Sequence, residues 1–148
     1  MDETTSRPWI EFTKWPYEEE MFHFQVAASD CGFSASQEFY GYADDVTTFG
    51  TALQAFPRGR GDEVVLEAGR RDMGFAHWVS VRVYLYDSVG HAAVALNVSN
   101  NGHEPYRREA RFTIRCEVAS LNQLGDALVH WIRSSARTVH VALTPVGA

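Results

Sequence analysis

Residues 79–102 read VSVRVYLYDSVGHAAVALNVSNNG, and their reading decides the fold. Val79, Val81, Val83 and Leu85 share one parity, with Ser80, Arg82, Tyr84 and Tyr86 opposite. Ala92, Val94, Leu96 and Val98 repeat the pattern. A period of two marks a strand with one apolar and one polar face. Asp87-Ser88-Val89-Gly90 is a tight connection, because Gly90 can take a positive φ. The stretch is therefore a hairpin of half-buried strands.

Working outward, Asn100-Asn101-Gly102 is turn chemistry, and Pro105 cannot continue a central ladder. Phe112, Ile114, Cys116 and Val118 alternate after it, which predicts a third strand of an antiparallel meander. Upstream, Pro8–Lys14, Met21–Ala28, Phe33–Tyr40 and Glu63–Ala68 read as strands, and Thr138–Leu143 as a final edge strand. Two segments follow the helical period instead. Val46, Phe49, Leu53 and Phe56 form one face, with Asp44 or Asp45 as N-cap and Pro57 as the stop. Leu121, Leu124, Leu128, Trp131 and Ile132 form the other. Ser120-Leu121-Asn122-Gln123 has the spacing of a capping box.

The helices share a pattern. VTTFGTALQAF (46–56) aligns without gaps on LNQLGDALVHW (121–131), pairing Gly50 with Gly125, Leu53 with Leu128 and Phe56 with Trp131. A glycine inside a helix costs about 1 kcal/mol against alanine. Its recurrence at one place predicts a close backbone approach, with the sheet as the expected neighbour. Two related strands-then-helix halves follow, about 7–57 and 63–135, inside a single domain spanning 1–148. Strands grouped before each helix give an α+β class. The expected architecture is one antiparallel sheet of seven or eight strands with both helices on its apolar face.

The chain has 148 residues, enough for one core, and a net charge of −6. The charge is uneven. Residues 1–50 carry ten acids and two bases, whereas residues 51–148 carry nine acids and eleven bases. A negative first third attracts cationic partners and repels nucleic acid. One lysine and scattered arginines leave no basic run for nucleic-acid binding. Cys31 and Cys116 form no C-x-x-C and no disulfide framework. The N-terminus lacks the regions of a signal peptide, and no apolar run reaches the ~20 residues of a membrane span. A cytoplasmic protein is expected, with reduced thiols.

Motifs that announce chemistry are missing. RGRGDE (58–63) lacks phosphate-loop spacing, and there is no G-x-S-x-G or H-E-x-x-H. No cofactor and no metal site is expected. Asp87 and His91 flank a tight turn and can pair, the arrangement that orients an imidazole for base catalysis. They define the enzymatic reading, a small-molecule-binding or hydrolytic enzyme. Adjacent His103 and Glu104 read as a solvated turn, since a metal needs three or four converging ligands.

Two surfaces are candidates for binding. Arg82, Tyr84, Tyr86, Arg111 and Arg115 fall on polar faces of the meander, and mixed Tyr/Arg surfaces are enriched at interfaces. Glu18, Glu19 and Glu20, with Asp44 and Asp45, form the acidic alternative, suited to a basic protein.

DEVVLEAG (62–69), the 81–102 run and FTI…EVASLNQLGDAL resemble a family of small bacterial proteins to which no activity is assigned. The resemblance covers about residues 33–132. Its marks are the Y-D-x-x-G-H-A turn, the N-N-G turn and the F/L-G-x-A-L helices. It implies the bounds of the fold and carries over no catalytic residue. Proteins of this size and kind often act as immunity proteins beside toxins, an analogy rather than a derivation. The leading expectation is a non-enzymatic protein-binding module, an immunity protein that occupies a basic toxin by steric blockade. Self-association through the Thr138–Leu143 edge is a further possibility.

Overall fold

The computed structural model describes residues 7–72 and 74–147. The acidic segment Met1–Ser6, read above as lacking a targeting signal, lies outside them. Eight strands and two helices run in the order β1 (Trp9–Glu18), β2 (Met21–Ser29), β3 (Ser34–Tyr42), α1 (Ala43–Gln54), β4 (Glu63–Gly69), β5 (Trp78–Leu85), β6 (Ala92–Ser99), β7 (Glu109–Cys116), α2 (Val118–Trp131) and β8 (Thr138–Ala142).

The class is α+β with antiparallel pairing throughout. The strands divide into two sheets of four, ordered β3-β2-β1-β8 and β4-β5-β6-β7, where the sequence suggested one continuous sheet. After α1 the chain leaves the first sheet, and β4 pairs with β5 and not along the free edge of β3. Likewise β8, after α2, returns to β1. Each stretch of β-β-β-α-β thus sends its last strand to the sheet begun by the other.

The parity read from residues 79–98 holds in the register. Val79 faces Val98, Val81 faces Leu96 and Val83 faces Val94, all buried. In the first sheet Ile10, Phe12, Phe24, Val26 and Phe39 turn inward. Both inner faces and both helices share one core. Trp131 of α2 sits 6.4 Å from Phe12 and 6.3 Å from Phe24, ring centre to ring centre.

The two glycines are buried as expected, but their neighbour is the other helix and not a sheet. A methyl on Gly125 would lie 2.6 Å from the Gly50 carbonyl oxygen and 2.8 Å from the Gln54 nitrogen. The helices pass in opposite senses. Asn122 donates its amide to the Leu53 and Phe56 carbonyls at 2.9 Å each, while Val129 lies over Gly50.

Element ends differ from the sequence reading. The N-cap of α1 is Tyr42, and Asp45 sits at its third position, accepting the Tyr42 N–H at 2.9 Å. α2 begins at Val118 after Glu117, so the third meander strand stops at Cys116. Ser120 is inside the first turn and its hydroxyl accepts the Thr144 N–H at 2.8 Å. It therefore ties down the chain after β8 and does not cap the helix.

Candidate functional site

The β1–β2 hairpin carries Glu18, Glu19 and Glu20 at its tip, all exposed. Met21 pairs with Tyr42, and the Ala43 N–H donates to the Glu20 carbonyl at 3.0 Å. The hairpin tip is thereby held against the start of α1, where Asp44 and Asp45 lie. Five acids separated by some twenty-five residues of chain come to one end of the molecule. Both aspartates are exposed, and Asp45 is also engaged in the helix start. Acids there also favour the helix dipole.

The three glutamates rim an open groove of about 550 Å³ whose other walls are Pro16, Tyr17, Phe22 and Ala43. Beside it the outer face of the first sheet is aromatic. Tyr17, Tyr40 and Tyr42 are 57%, 42% and 55% exposed. Tyr17 meets Tyr40 at 5.3 Å, and His23 lies between Tyr40 at 4.8 Å and Trp15 at 5.1 Å. The tyrosines were not singled out from sequence. The signal was available, because Trp15 and Tyr17 share one parity on β1, and Tyr40 and Tyr42 share another on β3.

Further along that face is a cleft of about 330 Å³. His23 and Glu38 pair across it at 2.7 Å, and Gln25, Gln37, Tyr40, His77 and Arg108 are among its other lining residues. Sequence reasoning missed it entirely, since its residues come from β2, β3 and two loops. The NNG turn has a part here. The Asn101 amide donates to the Arg70 carbonyl at 2.7 Å and the Phe75 carbonyl at 3.0 Å, bracing the loop that delivers His77. Asn100 Oδ1 accepts the Gly102 and Arg108 N–H groups at 3.0 and 2.9 Å.

The arginine–tyrosine row does share a face. Arg115 is opposite Ala93, which is opposite Tyr84, and Arg111 is opposite Asn97. Arg82 is already spent, stacked 4.1 Å above the Tyr84 ring and paired with Glu63. Tyr86 lies past the strand and stacks on His91 at 6.1 Å. Arg111 and Arg115 make no ion pair among the described residues.

Asp87 and His91 do meet, Oδ2 to Nδ1, at 2.7 Å. The other carboxylate oxygen accepts the Val89 and His91 N–H groups at 3.0 Å each, which is turn capping. These backbone bonds, the His91 amide first, hold the Asp87 carboxyl below its usual range. Among the described residues no three of His, Cys, Asp or Glu converge as metal ligands, and no helix is long and apolar enough to cross a membrane. Cys116 is buried in β7, and burial pushes its thiol up to about 12; Cys31 is exposed. No family model, curated protein or solved structure matches the chain.

Proposed function

We propose that this chain is a protein-binding module for a basic partner, most concretely a cytoplasmic immunity protein that blocks a toxin by occupying its surface. One observation supports the reading. Glu18, Glu19 and Glu20 rim an apolar groove that adjoins three exposed tyrosines. Carboxylates steer a cationic partner and set its orientation. Tyrosines supply contact area at low entropy cost, the composition of interface hot spots. Screening limits such steering to short range, about 8 Å at physiological salt.

The test is affinity capture from the native host at low salt, followed by rate measurements on the recovered partner. Replacing Glu18, Glu19 and Glu20 together by lysine is expected to lower the association rate by about tenfold or more. Tyr17→Ala is expected to act on dissociation instead. An association rate indifferent to both charge reversal and salt removes this surface from the interface.

The enzymatic alternative draws on the 2.7 Å Asp87–His91 contact. Its weakness is that Asp87 is committed to the turn. Asp87→Asn should then loosen the β5–β6 connection, and abolition of a hydrolytic turnover would favour the alternative.

A further inference from the structure

His77 precedes β5 in the second sheet, yet it serves the first. The Tyr40 backbone N–H donates to His77 Nε2 at 3.2 Å. Tyr40 belongs to β3, an edge strand of its sheet, so an imidazole covers an edge donor that would otherwise be unpaired. A neutral imidazole accepts at one nitrogen only. Accepting at Nε2 places the proton on Nδ1, which is buried among the Ala68 and His77 carbonyls without a well-formed hydrogen bond to either.

The ring is held firmly. Its backbone rests on Gly69, whose φ is +71°, and a methyl there would come within 2.0 Å of the His77 carbonyl oxygen. The Asn101 amide braces the preceding loop. Phe39 and Tyr40 flank the ring at 6.4 and 6.2 Å. Charged and titratable groups facing it are His23 from β2, Glu38 and the Tyr40 phenol from β3, and Arg108 from the β6–β7 loop; β4 brings only the backbone of Ala68 and Gly69. Glu38 is already paired with His23.

We propose that His77 is a pH-operated latch joining the two sheets, closed while its imidazole is neutral and released when it takes a second proton. Protonated Nε2 sets a donor against the Tyr40 donor. It also places a charge beside His23 and Arg108 with no carboxylate of its own. Burial first, and His23 in addition, hold the imidazole below its usual range, against the opposing pull of the Ala68 and His77 carbonyls. The unfolded chain takes up this proton near its ordinary pKa of about 6.5 while the folded ring resists it. The stabilisation is therefore complete above that pH and declines as pH falls through it.

His77→Gln tests the latch, because its amide oxygen accepts a hydrogen bond at any pH. Hydrogen exchange at the Tyr40 amide is followed from about pH 8 to about pH 5, where histidines titrate, and corrected for intrinsic rate. Protection in the parent protein should fall about tenfold or more, remain flat in His77→Gln, and still fall in His23→Gln. A flat parent profile, an equal fall in His77→Gln, or loss of the fall in His23→Gln overturns the proposal. Should His77→Gln not fold, nitrogen shifts of the parent His77 ring decide: one midpoint shared with the Tyr40 amide supports the latch, and two separate midpoints refute it.

Discussion

A methyl group on Gly125 has nowhere to go, because both nearest atoms belong to the α1 backbone. Gly50 is different. Its added methyl would meet Val129 Cγ2 at 2.9 Å and the Gly125 oxygen at 3.1 Å, and a side chain can yield where a backbone cannot. Gly125→Ala should therefore destabilise by about 1–3 kcal/mol through overpacking. Gly50→Ala should fall within about 1 kcal/mol of the parent, since gained helix propensity offsets the crowding. Denaturant titration of both variants checks the order, and equal losses would show that the helices can slide apart. Lys14 is a second residue whose position is unusual. The sole lysine is buried on the inner face of β1. Its ammonium donates to the Trp131 and Ser134 carbonyls at 2.6 and 2.8 Å and sits 4.7 Å from the Trp131 ring centre. Desolvation holds its pKa below the usual range, while the carbonyls at the end of α2 and just past it supply the partial negative charge that keeps it there. Inward parity at position 14 was plain in the sequence. Its partners were not, because they lie more than a hundred residues away.

At the scale of elements, the loops do more than join strands. The stretch 100–108 separates β6 from β7, and its composition marks a turn without revealing what it holds. Asn101 adopts a φ of 53°, and its side chain fastens the 70–75 segment. Asn101→Gly keeps the left-handed backbone accessible and deletes both bonds. Hydrogen exchange should rise about tenfold across residues 70–77 in that variant, the loss of about 1.4 kcal/mol of local stability. Unchanged exchange there would mean that Gly69 and His77 suffice to set the loop. Both helices were legible from their period, but their starts were misplaced by two or three residues. Ser120 has the chemistry of a cap, yet Thr144 claims its hydroxyl. Local spacing cannot reveal such competition.

In the whole molecule, each sheet is completed from the far half of the chain. β8 is five residues long and near the end of the sequence, but it closes the first sheet against β1. Leu143, just beyond it, is fully buried and donates its N–H to the Pro8 carbonyl at 2.8 Å. Leu143→Ala should cost about 2–5 kcal/mol, the loss typical of a core leucine and not of a chain end. The exchange of strands also couples the sheets. Unfolding reported by Trp15 in the first sheet and by Trp78 in the second should share one midpoint, as a two-state transition requires. Displaced midpoints in single-tryptophan variants would show that the halves melt separately. The acidic end and the histidine cleft belong to this scale as well, since each gathers residues from several elements.

The strands, the two helices, the buried side of each and the antiparallel class were written in the chain, because period and turn chemistry are local properties. The sequence also placed acids in the first third and set arginines against tyrosines on one face. Long-range packing set the rest: eight strands make two sheets, the helical glycines face one another, and His77 reaches Tyr40. Those outcomes depend on which distant surfaces bury one another best, a choice made by packing and by the demand that edge donors find partners.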